Sequence, residues 1–255
     1  MISHDDIQAD LDLKFQHAQA AGFNDPAIMI YQMGKVGSQS LKSAFQTAYP
    51  NVAHMHKHER AKKFITDRAA VKQPVLLFCG VREPLSRCMS ACFQNICNPI
   101  NAYWYLGDEK SVLNTNLEDI RAHFDVVAPK HVTNFMAPWF DSFQETTGFA
   151  LDDLALVENG FWFTSTPDIS VFFYKLEEMA EFYRGLQSFS QFHEIPFGVS
   201  NTAEDKKIFG LYRALQQSYS ITPQEYQSKF GDISWLSKFY DADELAALTA
   251  RWIKE

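Results

Sequence analysis

Apolar residues gather along this chain in two kinds of run. Short, largely apolar runs at 28–33, 75–81 and 170–175 predict strands buried on both faces. Between them the spacing widens to the helical period, with Ile7, Leu11, Phe15 and Ala18 in 5–21, and Leu41, Ala44, Phe45 and Ala48 in 38–48. A short strand is expected at 51–55, and helices at 59–70 and 84–96. Strand and helix alternate, which predicts an α/β fold: a central, largely parallel sheet with helices on both faces. The stretch 97–163 is aromatic and irregular, with helices expected near 117–124 and 132–144. A helix near 177–186 follows the third strand. The last third reads as helical at 203–217, 222–229, 233–239 and 241–253, the last opened by Asp241 as N-cap with Glu244 three residues on. No repeat, low-complexity run or linker divides residues 1–255, so one domain is expected, with 1–25 as a helical lead-in.

The first strand breaks at Gly34-Lys35-Val36-Gly37-Ser38-Gln39-Ser40 and the chain resumes as a helix. Strand, glycine turn and helix in that order form an anion cradle. Glycines let the backbone approach closely, amides point inward, and the helix N-terminus adds positive potential. Lys35 adds a full charge, and Ser38 and Ser40 add hydroxyl donors. The order differs from a Walker A loop, in which the lysine directly precedes the hydroxyl residue. Here Val36 and Gly37 separate Lys35 from Ser38.

The run 75–81 leads directly into Arg82-Glu83-Pro84-Leu85-Ser86-Arg87-Cys88-Met89-Ser90. Pro84 suits the first turn of a helix, which leaves Arg82 at the strand's carboxyl end. Arg87 and Ser90 then share a helix face, with Ser86 close by. A guanidinium fork and a hydroxyl match the oxygens of a phosphate monoester. Ligands of open α/β sheets sit outside the carboxyl ends of the strands, so both motifs fall on one edge.

The two motifs resemble those of sulfotransferases that use 3′-phosphoadenosine-5′-phosphosulfate (PAPS). The order Lys-x-Gly-Ser is similar to their 5′-phosphosulfate loop, and Arg82 with Ser90 eight positions later is similar to their 3′-phosphate pair. Trp139-Phe140-Asp141, Thr147-Gly148-Phe149, the run Ile169–Met179 and Phe239-Tyr240-Asp241 resemble landmarks of carbohydrate-type members, especially a bacterial group named for capsular polysaccharide synthesis. The resemblance spans roughly residues 28–253; the segment 98–132 matches nothing and reads as an insertion. It implies a P-loop-like sulfotransferase fold and transfer of a sulfuryl group to a hydroxyl or amine of a glycan or small molecule, with PAPS as co-substrate and no metal. It implies that Lys35, Val36, Gly37, Ser38, Gln39 and Ser40 hold the 5′-phosphosulfate, that Arg82 and Ser90 hold the 3′-phosphate, and that Lys35 is catalytic. Asn201 and Lys207 fall where the family has polar contacts.

The proton acceptor is sought among His54, His56 and His58, which alternation places on one side of the short strand at its carboxyl end. His56 is favoured, then His54; Glu177, at the end of the third strand, is an alternative base or a helix cap. Their i, i+2 spacing without a carboxylate constellation disfavours metal ligation. Tyr103, Trp104, Tyr105, Trp139, Phe161 and Trp162 are either core or an acceptor-stacking platform. Two other functions remain open: a P-loop kinase, opposed by the displaced lysine, and a non-catalytic nucleotide-binding module, opposed by the intact set of anion-binding residues.

Composition narrows the partners. The chain has 255 residues and a net charge of −8, which argues against nucleic acid. A basic run, Lys57 to Lys72, is expected to be a solvated helix face. No apolar run reaches the ~20 residues of a membrane span, and the acidic start, His4-Asp5-Asp6, is unlike a signal peptide. A cytoplasmic, bacterial setting is expected. Four cysteines, three of them on or beside one helix, suit reduced thiols rather than disulfides.

Overall fold

A computed structural model describes residues 2–157, 160–198, 208–231, 233 and 235–254. The elements run α1 (His4–Ala20), β1 (Ala27–Tyr31), α2 (Ser38–Phe45), β2 (Val52–Met55), α3 (His58–Ala70), β3 (Val75–Val81) and α4 (Pro84–Asn95). Then come α5 (Glu109–Leu113), α6 (Leu117–His131), a π-helix (Val132–Met136) and α7 (Ala137–Thr147). A 3-10 turn (Leu151–Asp153), β4 (Ala155–Leu156), β5 (Trp162–Ser165) and β6 (Ile169–Lys175) precede a second 3-10 turn (Leu176–Glu178) and α8 (Met179–Gln187). The chain ends with α9 (Phe209–Ser218), α10 (Pro223–Tyr226), a second π-helix (Gln227–Gly231), α11 (Leu236–Phe239) and α12 (Ala242–Thr249).

The chain forms two compact units, Met1–Val81 with Asp141–Asn201, and Arg82–Phe140 with Thr202–Glu255. The first holds a six-stranded mixed sheet in the order β2-β1-β3-β6-β5-β4. β2, β1, β3 and β6 are parallel, and β5 and β4 add an antiparallel edge. The expectation of an α/β sheet flanked by helices holds. The antiparallel edge comes from the stretch read as irregular, because two- and four-residue strands carry too few positions to show a period.

The three central parallel strands are buried along their whole length, which is why they read as largely apolar runs. The pairs Ile28↔Leu76, Ile30↔Phe78, Phe78↔Phe172 and Gly80↔Tyr174 put one set of side chains on one face. Ile7 and Leu11 of α1, Leu41 and Phe45 of α2, and Phe182 and Leu186 of α8 belong to the same core cluster. Phe78 stacks on Phe172 with ring centres 4.9 Å apart. The alternate face takes Phe173, which meets Phe143 of α7. β1 connects to β2 on one side, whereas β3 and β6 lie on the other. The strand order therefore reverses beside β1, and the loop leaving its carboxyl end sits at a topological switch point.

The second unit is helical. Pro84 occupies the first turn of α4, as expected, and Arg82 is the residue after β3. α6 runs through Pro129 to His131, well beyond the expected end near residue 124, and passes into the first π-helix. Asp241 caps α12, its Oδ1 accepting the Glu244 N–H at 2.7 Å. All four cysteines are free thiols, and Cys79, Cys88 and Cys92 are buried. Among the described residues no helix is long and apolar enough to cross a membrane.

Candidate active site

The loop after β1 is built on left-handed backbone. Gly34, Lys35 and Gly37 have φ of 81°, 64° and 83°. For glycine this costs little, but for a lysine it costs about 1–2 kcal/mol, so the surrounding structure must hold Lys35 there. Gly37 is the N-cap of α2 and has no side chain to occupy the first-turn amides, and that turn carries no acidic residue. The eight-residue helix therefore presents its positive end uncovered by a cap. Val36, Ser38 and Ser40 are buried, Lys35 and Gly37 are half-buried, and Gln39 is exposed. Lys35, Val36, Gly37, Ser38 and Ser40 thus form one compact turn, with Gln39 facing out of it.

Two groups, one from the turn after β6 and the start of α8 and the other from β6 itself, fix this loop. A Cβ on Gly37 would lie 2.6 Å from Met179 Sδ, 2.8 Å from its Cε and 2.9 Å from Leu176 Cδ1. Those atoms end flexible side chains and can give way in part, but the left-handed φ cannot be relieved. Gly37→Ala is expected to destabilise the protein by roughly 2–3 kcal/mol, lowering the melting temperature by about 5–10 °C; an unshifted thermal transition would contradict this account of the turn. The second group is Tyr174, whose buried hydroxyl lies 2.9 Å from the Val36 carbonyl and 3.3 Å from Gln32 Oε1. Neither Tyr174 nor Gln32 is visible as a site residue in the sequence. A polar residue inside an apolar strand run, such as Gln32, is the one local signal.

His56 and His54 join the loop from β2. Met55 accepts the Gln32 N–H at 3.2 Å, carrying the β1–β2 pairing one residue into the turn. His56 Nδ1 lies 2.7 Å from the Gln32 carbonyl oxygen. A carbonyl only accepts, so Nδ1 carries a proton, and in the neutral ring the lone pair is on Nε2. A Cβ on Gly34 would be 3.8 Å from His56 Cε1, which sets the exposed imidazole beside the left-handed turn. The His54 ring meets the His56 ring edge-on at 4.6 Å. Burial, with smaller contributions from His56 and Lys42, pulls His54 down to about 4, so it stays neutral at ordinary pH, and its Nε2 is buried without a partner. His58 does not continue the alternation. It begins α3, beside Glu59, because the strand ends at Met55.

Arg82 and Ser90 belong to the second unit, both half-buried, with Ser90 on α4. Glu83 is fully buried and caps α4, accepting from the N–H of Leu85 and Ser86 at 2.8 and 2.7 Å and from the Tyr226 hydroxyl at 2.9 Å. The first-turn amides of α4 are thus occupied by a side chain, unlike those of α2. Burial raises the Glu83 carboxyl above the ordinary value, against those hydrogen bonds. Arg87, read as a companion of Ser90, is almost entirely buried; its Nη1 donates to His131 Nε2 at 2.8 Å, and its guanidinium lies over the Phe135 ring. Burial lowers Arg87 to about 10 and, with Arg87 beside it, His131 to about 3, so the pair is a cation bonded to a neutral imidazole. Arg87 is an internal tie of this unit. Arg251 donates to Ser86 Oγ at 3.3 Å and adds a further cation that the sequence did not single out.

Most of the aromatic platform turns out to be core. Trp104, Trp139, Phe161 and Trp162 are buried, and only Tyr105 is exposed, with Tyr103 half-buried. Phe140 stacks on Trp235 and meets Phe239, which packs two of the sequence landmarks together. Glu177 lies in the 3-10 turn before α8, within the segment spanned by the Lys175–Glu178 ion pair at 2.8 Å. The basic helix α3 buries Ala61 and exposes Arg60, Lys62 and Lys63, as a solvated face does. Asn201 and Lys207 lie outside the described residues. Among the described residues no cluster of three or more histidines, cysteines or carboxylates is arranged to hold a metal.

No protein-family model, curated protein or solved structure matches the chain.

Proposed function

We propose that the protein is a PAPS-dependent sulfotransferase of P-loop-like fold that moves a sulfuryl group to a hydroxyl or amine of a glycan or small molecule. The observation that carries this reading is the turn at the switch point. A strained lysine, an uncapped helix N-terminus and an imidazole with a fixed tautomer meet within a few residues of one sheet edge. Sulfuryl transfer resembles phosphoryl transfer in needing alignment and charge stabilisation more than covalent help.

In this reading the Gly37, Ser38 and Ser40 amides and hydroxyls hold the phosphosulfate. Lys35 offers its ammonium to the oxygen that bridges phosphorus and sulfur, where charge grows as the S–O bond breaks. His56 Nε2 takes the proton of the acceptor group as its oxygen or nitrogen bonds to sulfur. His54 is the poorer base, because its low pKa leaves little driving force to accept a proton. Arg82 and Ser90 hold the 3′-phosphate, a role that rests on their resemblance to the family's pair. 3′,5′-Adenosine bisphosphate, the desulfated product, is the direct probe. Titration calorimetry is expected to show one nucleotide per chain, and Arg82→Ala to weaken it about 10- to 100-fold, the worth of a charge-assisted hydrogen bond. Unchanged affinity would remove Arg82 from the site, and turnover requiring ATP and Mg²⁺ would replace the reading by a kinase.

A further inference from the structure

We infer that Tyr174 is a positioning residue that latches the Val36–Gly37 peptide, so that the Gly37 N–H faces the anion rather than the protein interior. This rests on the reading of the loop as a phosphosulfate holder. The latch follows from one proton and one planar group. Tyr174 stands opposite Gly80 in the β3–β6 register, and a Cβ at Gly80 would sit 2.8 Å from its ring and 2.9 Å from its hydroxyl. The glycine makes room for the phenol to reach across the sheet to the loop. Burial raises the phenol well above its ordinary value, so it remains a donor at any working pH.

The phenol has a single proton and two oxygens nearby, Val36 O at 2.9 Å and the Gln32 side-chain amide at 3.3 Å. Given to Val36, the proton leaves the phenol oxygen able to accept from Gln32. Turning the Gln32 amide end for end supplies that donor from Nε2, which is otherwise buried without a partner. The result is a polarised chain from the Gln32 amide through the Tyr174 hydroxyl to the Val36 carbonyl. In a planar trans peptide the carbonyl and the next N–H point in opposite directions. With Val36 O drawn inward to Tyr174, Gly37 N–H is directed away from it. Glycine at 37 offers little resistance to the flipped peptide, which would turn a carbonyl toward the anion. The hydroxyl of Tyr174 is what opposes that flip. Gln32 also accepts from His56 Nδ1 through its own carbonyl, so one residue connects the latch to the base.

Tyr174→Phe tests this, because it removes the hydroxyl and keeps the ring that stacks on Phe182 at 4.6 Å. Hydrogen exchange of the amides at 34–38 is expected to quicken about tenfold, the worth of one hydrogen bond, with β1 and β3 unchanged. Calorimetry is expected to show about a tenfold loss of affinity for 3′,5′-adenosine bisphosphate and none for adenosine 3′-phosphate, which lacks the group the loop holds. Gln32→Leu should do less alone and add little to Tyr174→Phe. Wild-type exchange in the loop, a rise spread evenly over the sheet, or equal loss for both nucleotides would overturn the latch. A parent protein that binds neither nucleotide overturns the phosphosulfate reading instead, and the exchange measurement then decides the latch alone.

Discussion

Lys35→Ala is expected to lower sulfuryl transfer by about a thousandfold, the scale on which loss of one preorganised charge-stabilising group acts. The ammonium is the one full positive charge within the turn itself, and in the proposed reaction the growing charge falls on the leaving oxygen. Strain supports the same assignment. A lysine at φ 64° is held where glycine would rest more comfortably, between two glycines that already adopt that conformation. Lys35→Gly separates the role from the fold. It relieves the left-handed cost and adds unfolded-state entropy, so stability should stay within about 1 kcal/mol while transfer is lost just as fully. The check is conversion of PAPS to 3′,5′-adenosine bisphosphate over an acceptor panel, beside a thermal melt. A glycine variant keeping more than a tenth of parental turnover would sink the catalytic role.

His56→Ala should reduce turnover by roughly 10²- to 10⁴-fold, the usual contribution of a positioned general base, and leave the affinity for 3′,5′-adenosine bisphosphate nearly intact. The Gln32 carbonyl fixes the proton on Nδ1 and so directs the lone pair to Nε2. His54 is the internal control. It touches the same ring yet stays neutral down to about pH 4, so His54→Asn should keep turnover within a few-fold of the parent. Initial rates of PAPS conversion by the two variants make the comparison. If the two variants lose activity equally, neither imidazole acts as the specific base.

Much of the first unit was legible beforehand, for identifiable reasons. The three central strands are buried on both faces, so they wrote themselves into the sequence as apolar runs between helical periods. The turn at 34–40 was legible as a turn because two glycines after an apolar run mark a left-handed break before a helix. The hairpin of β4 and β5 was not, since its short strands owe their pairing to the neighbouring edge of β6. The two π-helices were equally hidden, because a widened turn has no hydrophobic period of its own.

Arg87 is the instructive error. Its type and its spacing to Ser90 suited a phosphate, but α6 brings His131 against it and the guanidinium serves the interior of its own unit. Local order along the chain thus specified the strands, the turn and the charge it carries, because those depend on neighbours within a dozen residues. Which histidine keeps a lone pair and what holds the loop from behind are different in kind. They depend on Gln32 meeting His56 and on Tyr174 meeting Val36, the latter across 138 residues of chain, and such meetings exist only once the sheet has set its register.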